Sequence, residues 1–157
     1  MSKITYTDKV TLNENPNVAD INKVRAGDLN EIKNVVNAND DAINEINDKF
    51  NYSTSEQRIG TWIDGKPIYR KVIAFGSMPN NSLKSIAHGI SNLWETIRLY
   101  GMAFRTDTKR ALTIPDPEPS AEITCNVTDT VIYITTHNDR SAFNDSFICI
   151  EYTKTTD

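Results

Sequence analysis

At 157 residues and 38% hydrophobic composition, the chain has material for one modest globular domain plus an appendage, and two full domains would be a stretch. A net charge of −4 with scattered lysines and arginines leaves no basic stripe for a nucleic-acid backbone, and nothing favours acidic substrates. With no secretory leader and no apolar run of membrane-spanning length, the expectations are no nucleic-acid partner, no membrane insertion and synthesis in a cytoplasm.

Residues 1–27 place Ile4, Tyr6, Val10 and Leu12 at even positions, a broken period-two pattern ending in the turn signal Asn13-Glu14-Asn15-Pro16. One strand and a turn have no core of their own, so this stretch reads as an extended arm that gains most by lying on another protein. A short helical turn over Asp20–Val24 is expected before Gly27 separates the arm from the coil.

From Asp28 to Phe50 the period becomes three and four. Leu29, Val36, Ile43 and Phe50 take the a positions of a heptad, and Ile32, Asn39 and Ile46 the d positions. Asp28 with Glu31 reads as a capping box at the helix start. Isoleucine at d disfavours two strands, and apolar Val35 and Ala42 at g widen the stripe, so the stretch is expected to form a parallel trimeric coiled coil. Asn39, the polar residue in the seam, would fix register and strand number at some cost in stability. The alternative is a lone amphipathic helix lying on its own domain. Three heptads seldom hold a coil unaided, so a downstream element is expected to help.

Beyond residue 50 the period shifts to two, and residues 51–157 are expected to form an antiparallel β-sandwich head. The expected strands are Arg58–Ile63, Pro67–Phe75, Ser82–His88, Trp94–Thr106, Ala111–Ile114, Glu122–Val127, Thr130–His137 and Ser146–Lys154. Asp64-Gly65 signals a two-residue hairpin, and the acidic, proline-rich stretch 115–119 an exposed loop. The runs Val131–Ile134 and Phe147–Ile150 are apolar at successive positions, which asks for cover on both sheet faces. That cover comes either from a neighbouring subunit or from a central place in the sandwich. The fold class is therefore mainly β with one long helix: an arm over 1–27, a coil over 28–50 and a head over 51–157.

Chemistry is sparse. His88 and His137 lack nucleophile or metal-spaced partners, and Cys125 and Cys149 sit in alternating runs without CxxC spacing. Asp116 and Glu118 sit on a stiff loop with no apolar pocket to raise a carboxyl pKa, and the dispersed Gly60, Gly65, Gly76, Gly89 and Gly101 read as turn or bulge glycines. No catalytic residues, metal or cofactor are expected. Binding is better served. Asn80-Asn81 and Asn138-Asp139-Arg140 offer amide, carboxylate and guanidinium groups on turns, and Trp62, Tyr69, Trp94 and Tyr100 have faces on which a sugar could stack.

The runs Val18-Ala19-Asp20-Ile21-Asn22-Lys23 and Asp28–Asn37 resemble the N-terminal region of fibre and minor structural proteins of tailed bacteriophages. The segment Gly60–Lys71, then Pro79-Asn80-Asn81 and Ala87-His88-Gly89-Ile90, is similar to stretches of phage tail-fibre and head-fibre proteins, so the resemblance covers residues 18–90, about half the chain. It implies a virion-attached homotrimer docked on capsid, portal or tail proteins by its N-terminal arm, and it supplies no catalytic residues. The expected function is a short structural fibre whose heads decorate the particle or touch a host-surface glycan. The competing expectation is a carbohydrate-binding module on an oligomerising helical stalk.

Overall fold

A computed structural model describes residues 26–118 and 122–156, and these divide into two compact units with the boundary between Phe50 and Asn51. Among the described residues there are one helix and eight strands, and the protein is mainly β.

Helix α1 runs Ala26–Asp48. It starts two residues before Asp28, which therefore lies inside the first turn rather than capping it, where its carboxylate complements the positive end of the helix. Gly27 accordingly belongs to the helix and does not break it. First-turn N–H groups have no intrahelical partner anyway, and open space surrounds this glycine, so it is tolerated there. At the other end, Lys49 and Phe50 donate to the carbonyls of Ile46 and Asn47 at 3.2 and 3.1 Å, a tight closing turn that leaves Phe50 just beyond the helix.

The second unit holds two antiparallel sheets. Five strands lie in the order β1-β2-β8-β4-β5, where β1 is Gln57–Thr61, β2 Pro67–Ala74, β4 Leu93–Phe104, β5 Ala111–Ile114 and β8 Asp145–Lys154. Three more, β3 (Leu83–Ala87), β7 (Val131–Thr136) and β6 (Ile123–Val127), lie in the order β3-β7-β6. The chain passes from one sheet to the other between β2 and β3, β3 and β4, β5 and β6, and β7 and β8, and the last strand slots between β2 and β4. Both sheets feed one core, as in a sandwich. Ile73, Ala103, Ile114, Ile148, Ile150 and Tyr152 enter it from the larger sheet, and Ile123, Ile132 and Ile134 from the smaller.

Turn chemistry explains the connections. Between β1 and β2, Trp62 N–H donates to Lys66 O at 2.7 Å and Gly65 N–H to Trp62 O at 3.0 Å. The loop is thus Ile63-Asp64-Gly65 rather than the two residues expected, with Gly65 in the left-handed region at φ 90°, the geometry that a three-residue hairpin requires. Gly101 departs further from expectation. It is no turn or bulge glycine but sits in mid-strand opposite Ile148, where a β-carbon would lie 2.3 Å from the Phe147 carbonyl oxygen. Loop 115–118 is partly tied down, since Asp116 exchanges backbone hydrogen bonds with Ile123 at 3.0 and 2.9 Å.

His88 is a structural histidine. Its Nδ1 accepts from Ile90 N–H at 3.0 Å, which leaves the proton on Nε2 to donate to Thr128 O at 3.1 Å. Lys71 fastens the same loop to β2, with its ammonium 3.0 Å from the carbonyl oxygens of both His88 and Gly89.

Candidate functional site

The helical seam is the first surface the sequence singles out. Leu29, Ile32, Val36, Ile43, Ile46 and Phe50 are 39–75% exposed on a single chain, and Asn39 is exposed among them. Shelter falls on a polar stripe that flanks the seam. Asn30, Lys33 and Asn37 are half-buried, Asp40 is 6% exposed, and all four take part in polar or charge interactions. The face opposite the seam, with Glu31, Asn34, Asp41 and Glu45, is exposed as well, so among the described residues the apolar seam is no better covered than the polar face. An apolar hollow lined by Ile32, Val35 and Val36, with Asp28 and Glu31 at its edge, opens along the seam.

The arm residues Ile4, Tyr6, Val10 and Leu12 lie outside the described residues.

The two polar turns come together. Their strands β3 and β7 are antiparallel neighbours, so the turn that leads into β3 meets the turn that leaves β7. Asn80 bridges Asp139, Asn81 N–H donates to Asn138 O at 3.2 Å, and Arg140 N–H to Pro79 O at 3.1 Å. Ser141 donates to Asp139 Oδ1 through its hydroxyl at 2.7 Å and its N–H at 2.9 Å, which holds the Asp139 carboxyl below its usual range. Much of the polar capacity of this ridge therefore goes into folding the turns themselves.

Tyr69 and Tyr100 lie on opposite faces of the larger sheet and so do not share one sugar platform. Tyr69 stacks on buried Tyr152 with ring centres 5.9 Å apart, on the core side. Tyr100 points to the other face of the same sheet, and Trp94 is exposed with the Lys66 ammonium 4.9 Å from its ring centre.

Sequence reasoning does not single out the outer face of the five-stranded sheet as a site. On it lie Val72, Cys149 and Tyr100 in one cross-strand row, and Ala74, Phe147, Met102 and Thr113 in the next. With Tyr52, Gly101 and Phe104 they line a groove of about 320 Å³ that is almost wholly apolar. Tyr52 is held there by a 3.2 Å bond between its hydroxyl and that of Tyr100, and by the Arg70 guanidinium stacked 4.9 Å from its ring. Arg70 in turn pairs with Glu151 at 2.9 Å. Burial pushes the Tyr100 phenol and the Cys149 thiol up, so both stay neutral and the groove floor carries no charge. The signal for this face was the alternation Tyr100-Met102-Phe104 together with the two-sided run at Phe147.

Burial pushes the Cys125 thiol up to about 12, far from the thiolate that nucleophilic or redox chemistry needs. Among the described residues no cluster of three His, Cys, Asp or Glu could hold a metal ion, and no helix is long and apolar enough to cross a membrane. Searches against protein-family models, curated proteins and solved structures find no match to this chain.

Proposed function

We propose that this chain is the subunit of a short homotrimeric fibre on a bacteriophage particle, attached by its N-terminal arm and carrying its β-rich head outward for decoration or host-surface adhesion. The observation that carries the oligomeric half of this reading is the exposed seam. Covering a large aliphatic side chain fully is worth about 1.5–3 kcal/mol, and six large apolar side chains in heptad register stand 39–75% open. Two more chains would close that surface, isoleucine at d disfavouring two strands and the apolar g positions Val35 and Ala42 favouring three. The phage half rests on the resemblance of residues 18–37 and 60–90 to fibre proteins. Mass-spectrometric counting on purified virions tests it: the chain should be present at a copy number divisible by three, and its absence from particles would defeat the reading.

A second reading keeps the stalk but makes the head a carbohydrate-binding module. It is favoured by the meeting of Asn80-Asn81 with Asn138-Asp139-Arg140 on one ridge. Glycan-array binding that survives Trp94→Ala but is lost in the double variant Asn80→Ala, Asp139→Ala would support it.

A further inference from the structure

Resting on the trimeric reading above, we propose that the outer face of the five-stranded sheet is a second homotypic contact. Around Tyr52, Met102, Phe104 and Phe147 each head packs against the other two heads about the axis that the coil sets. Met102, Phe104 and Phe147 are each 36–38% exposed beside a concave, uncharged floor, and contiguous apolar surface with a polar rim marks an interaction site. The rim carries both signs, with Arg70 paired to Glu151 and Arg98 stacked 4.5 Å from the Tyr100 ring.

Two observations select copies of the chain as the occupant. The first is covalent: Asn51 alone separates Phe50, the last seam residue, from Tyr52, which is fixed on this face. Two residues of extended chain reach about 7 Å at most. Three chains leaving one coil are therefore close to its axis when each reaches its own Tyr52. The link that tethers each head to the coil thus ends on a residue of this face.

The second is size. The apolar rows span three or four strands at about 4.8 Å spacing and about 15 Å along them, so a pair of such faces buries on the order of 600 Å². A partner arriving from solution needs about 1,200 Å² for a stable contact, twice what is offered. A copy already tethered by the coil acts at an effective concentration in the millimolar range, where a small apolar contact is enough. The face suits a partner that is already there.

Peroxide oxidation of methionine, read by mass spectrometry on the full chain, tests this, because Met102 lies on the face while Met78 is buried in the head and reports its folding. Wild type is compared with a seam variant, Ile32→Asp with Ile43→Asp, and the sedimentation of both is measured alongside. The expected result is a trimeric wild type whose Met102 oxidises at least fivefold more slowly than in the dissociated variant, with Met78 slow in both. A second variant, Phe147→Lys with the seam intact, should remain trimeric with Met78 protected while Met102 oxidation rises severalfold. Equal Met102 rates in a verified trimer and in the seam variant would overturn the head contact, by showing the face either open or covered within one chain, and would leave the coil standing. A monomeric wild type would overturn both.

Discussion

Gly101 shows how much a single residue's role depends on what lies across the sheet. A β-carbon there would meet the Phe147 carbonyl at 2.3 Å and Ile148 Cδ1 at 2.8 Å, and the first of these is backbone that cannot swing aside. Gly101→Ala should destabilise the head by about 1–3 kcal/mol, the usual range for overpacking, measured by denaturant unfolding. Nothing in the local sequence distinguishes this glycine from the turn glycines, because its neighbour is β8, far along the chain. Gly65, by contrast, was legible as a turn residue, since turn chemistry is local. Tyr152 is a comparable case. Its buried hydroxyl donates to Glu56, and burial first, with the carboxylate second, raises the phenol above its usual value of 10.0. Both states keep this proton below pH 10. Above it the unfolded chain releases the proton first, so stability should hold from pH 7 to 9 and fall beyond pH 10. Tyr152→Phe should start lower and fall less steeply over the same alkaline range.

At the scale of elements, periodicity did most of the work. The heptad run located α1 to within two residues at either end, and the period-two runs located the eight strands to within about two residues at most ends. Boundaries differ where two local signals compete. Gly27 has the look of a breaker but falls in a first turn that tolerates it, and Asp28 has the look of a cap but lies inside that turn. For α1 the decisive residue is Asn39. If it forms a polar layer among three helices, Asn39→Ile replaces that layer by packed side chains and should raise the unfolding free energy by about 1 kcal/mol per chain or more. On a solitary helix the same exposed substitution should change stability by no more than about 0.5 kcal/mol. A marked loss would mean that Asn39 makes an indispensable bond outside the seam. Thermal unfolding of the full chain separates the three outcomes.

At the scale of the whole molecule, the sequence read well as classes of structure and poorly as arrangement. A mainly β head and a single long helix were legible from composition and period. The strand order β1-β2-β8-β4-β5 was not, because it is set by pairings such as Val72 with Cys149 and Tyr100 with Cys149 that join distant strands. The doubly apolar run at Phe147–Ile150 illustrates the difference. It belongs to a central strand, with Cys149 beneath Tyr100 and Tyr52, yet Phe147 still stands partly open, so a central place in the sandwich and an uncovered face occur in one strand. Since residues 51–157 hold both sheets and their shared core, a chain starting at Asn51 should stay folded. It should also lose attachment to particles, if the arm is what docks. Circular dichroism and reconstitution on particles lacking the protein check the two halves separately. A headpiece that decorates particles at normal occupancy would place attachment in the head and reverse the polarity of the fibre.

The central claim is that the exposed stripe of Leu29, Ile32, Val36, Ile43, Ile46 and Phe50 is covered by two further copies of the chain. Sedimentation equilibrium of the full chain over a hundredfold range of concentration addresses it most directly. The account predicts a species of three times the 17.7 kDa chain mass, reduced toward monomer by Ile32→Asp with Ile43→Asp. A wild-type chain that stays at 17.7 kDa throughout would contradict it.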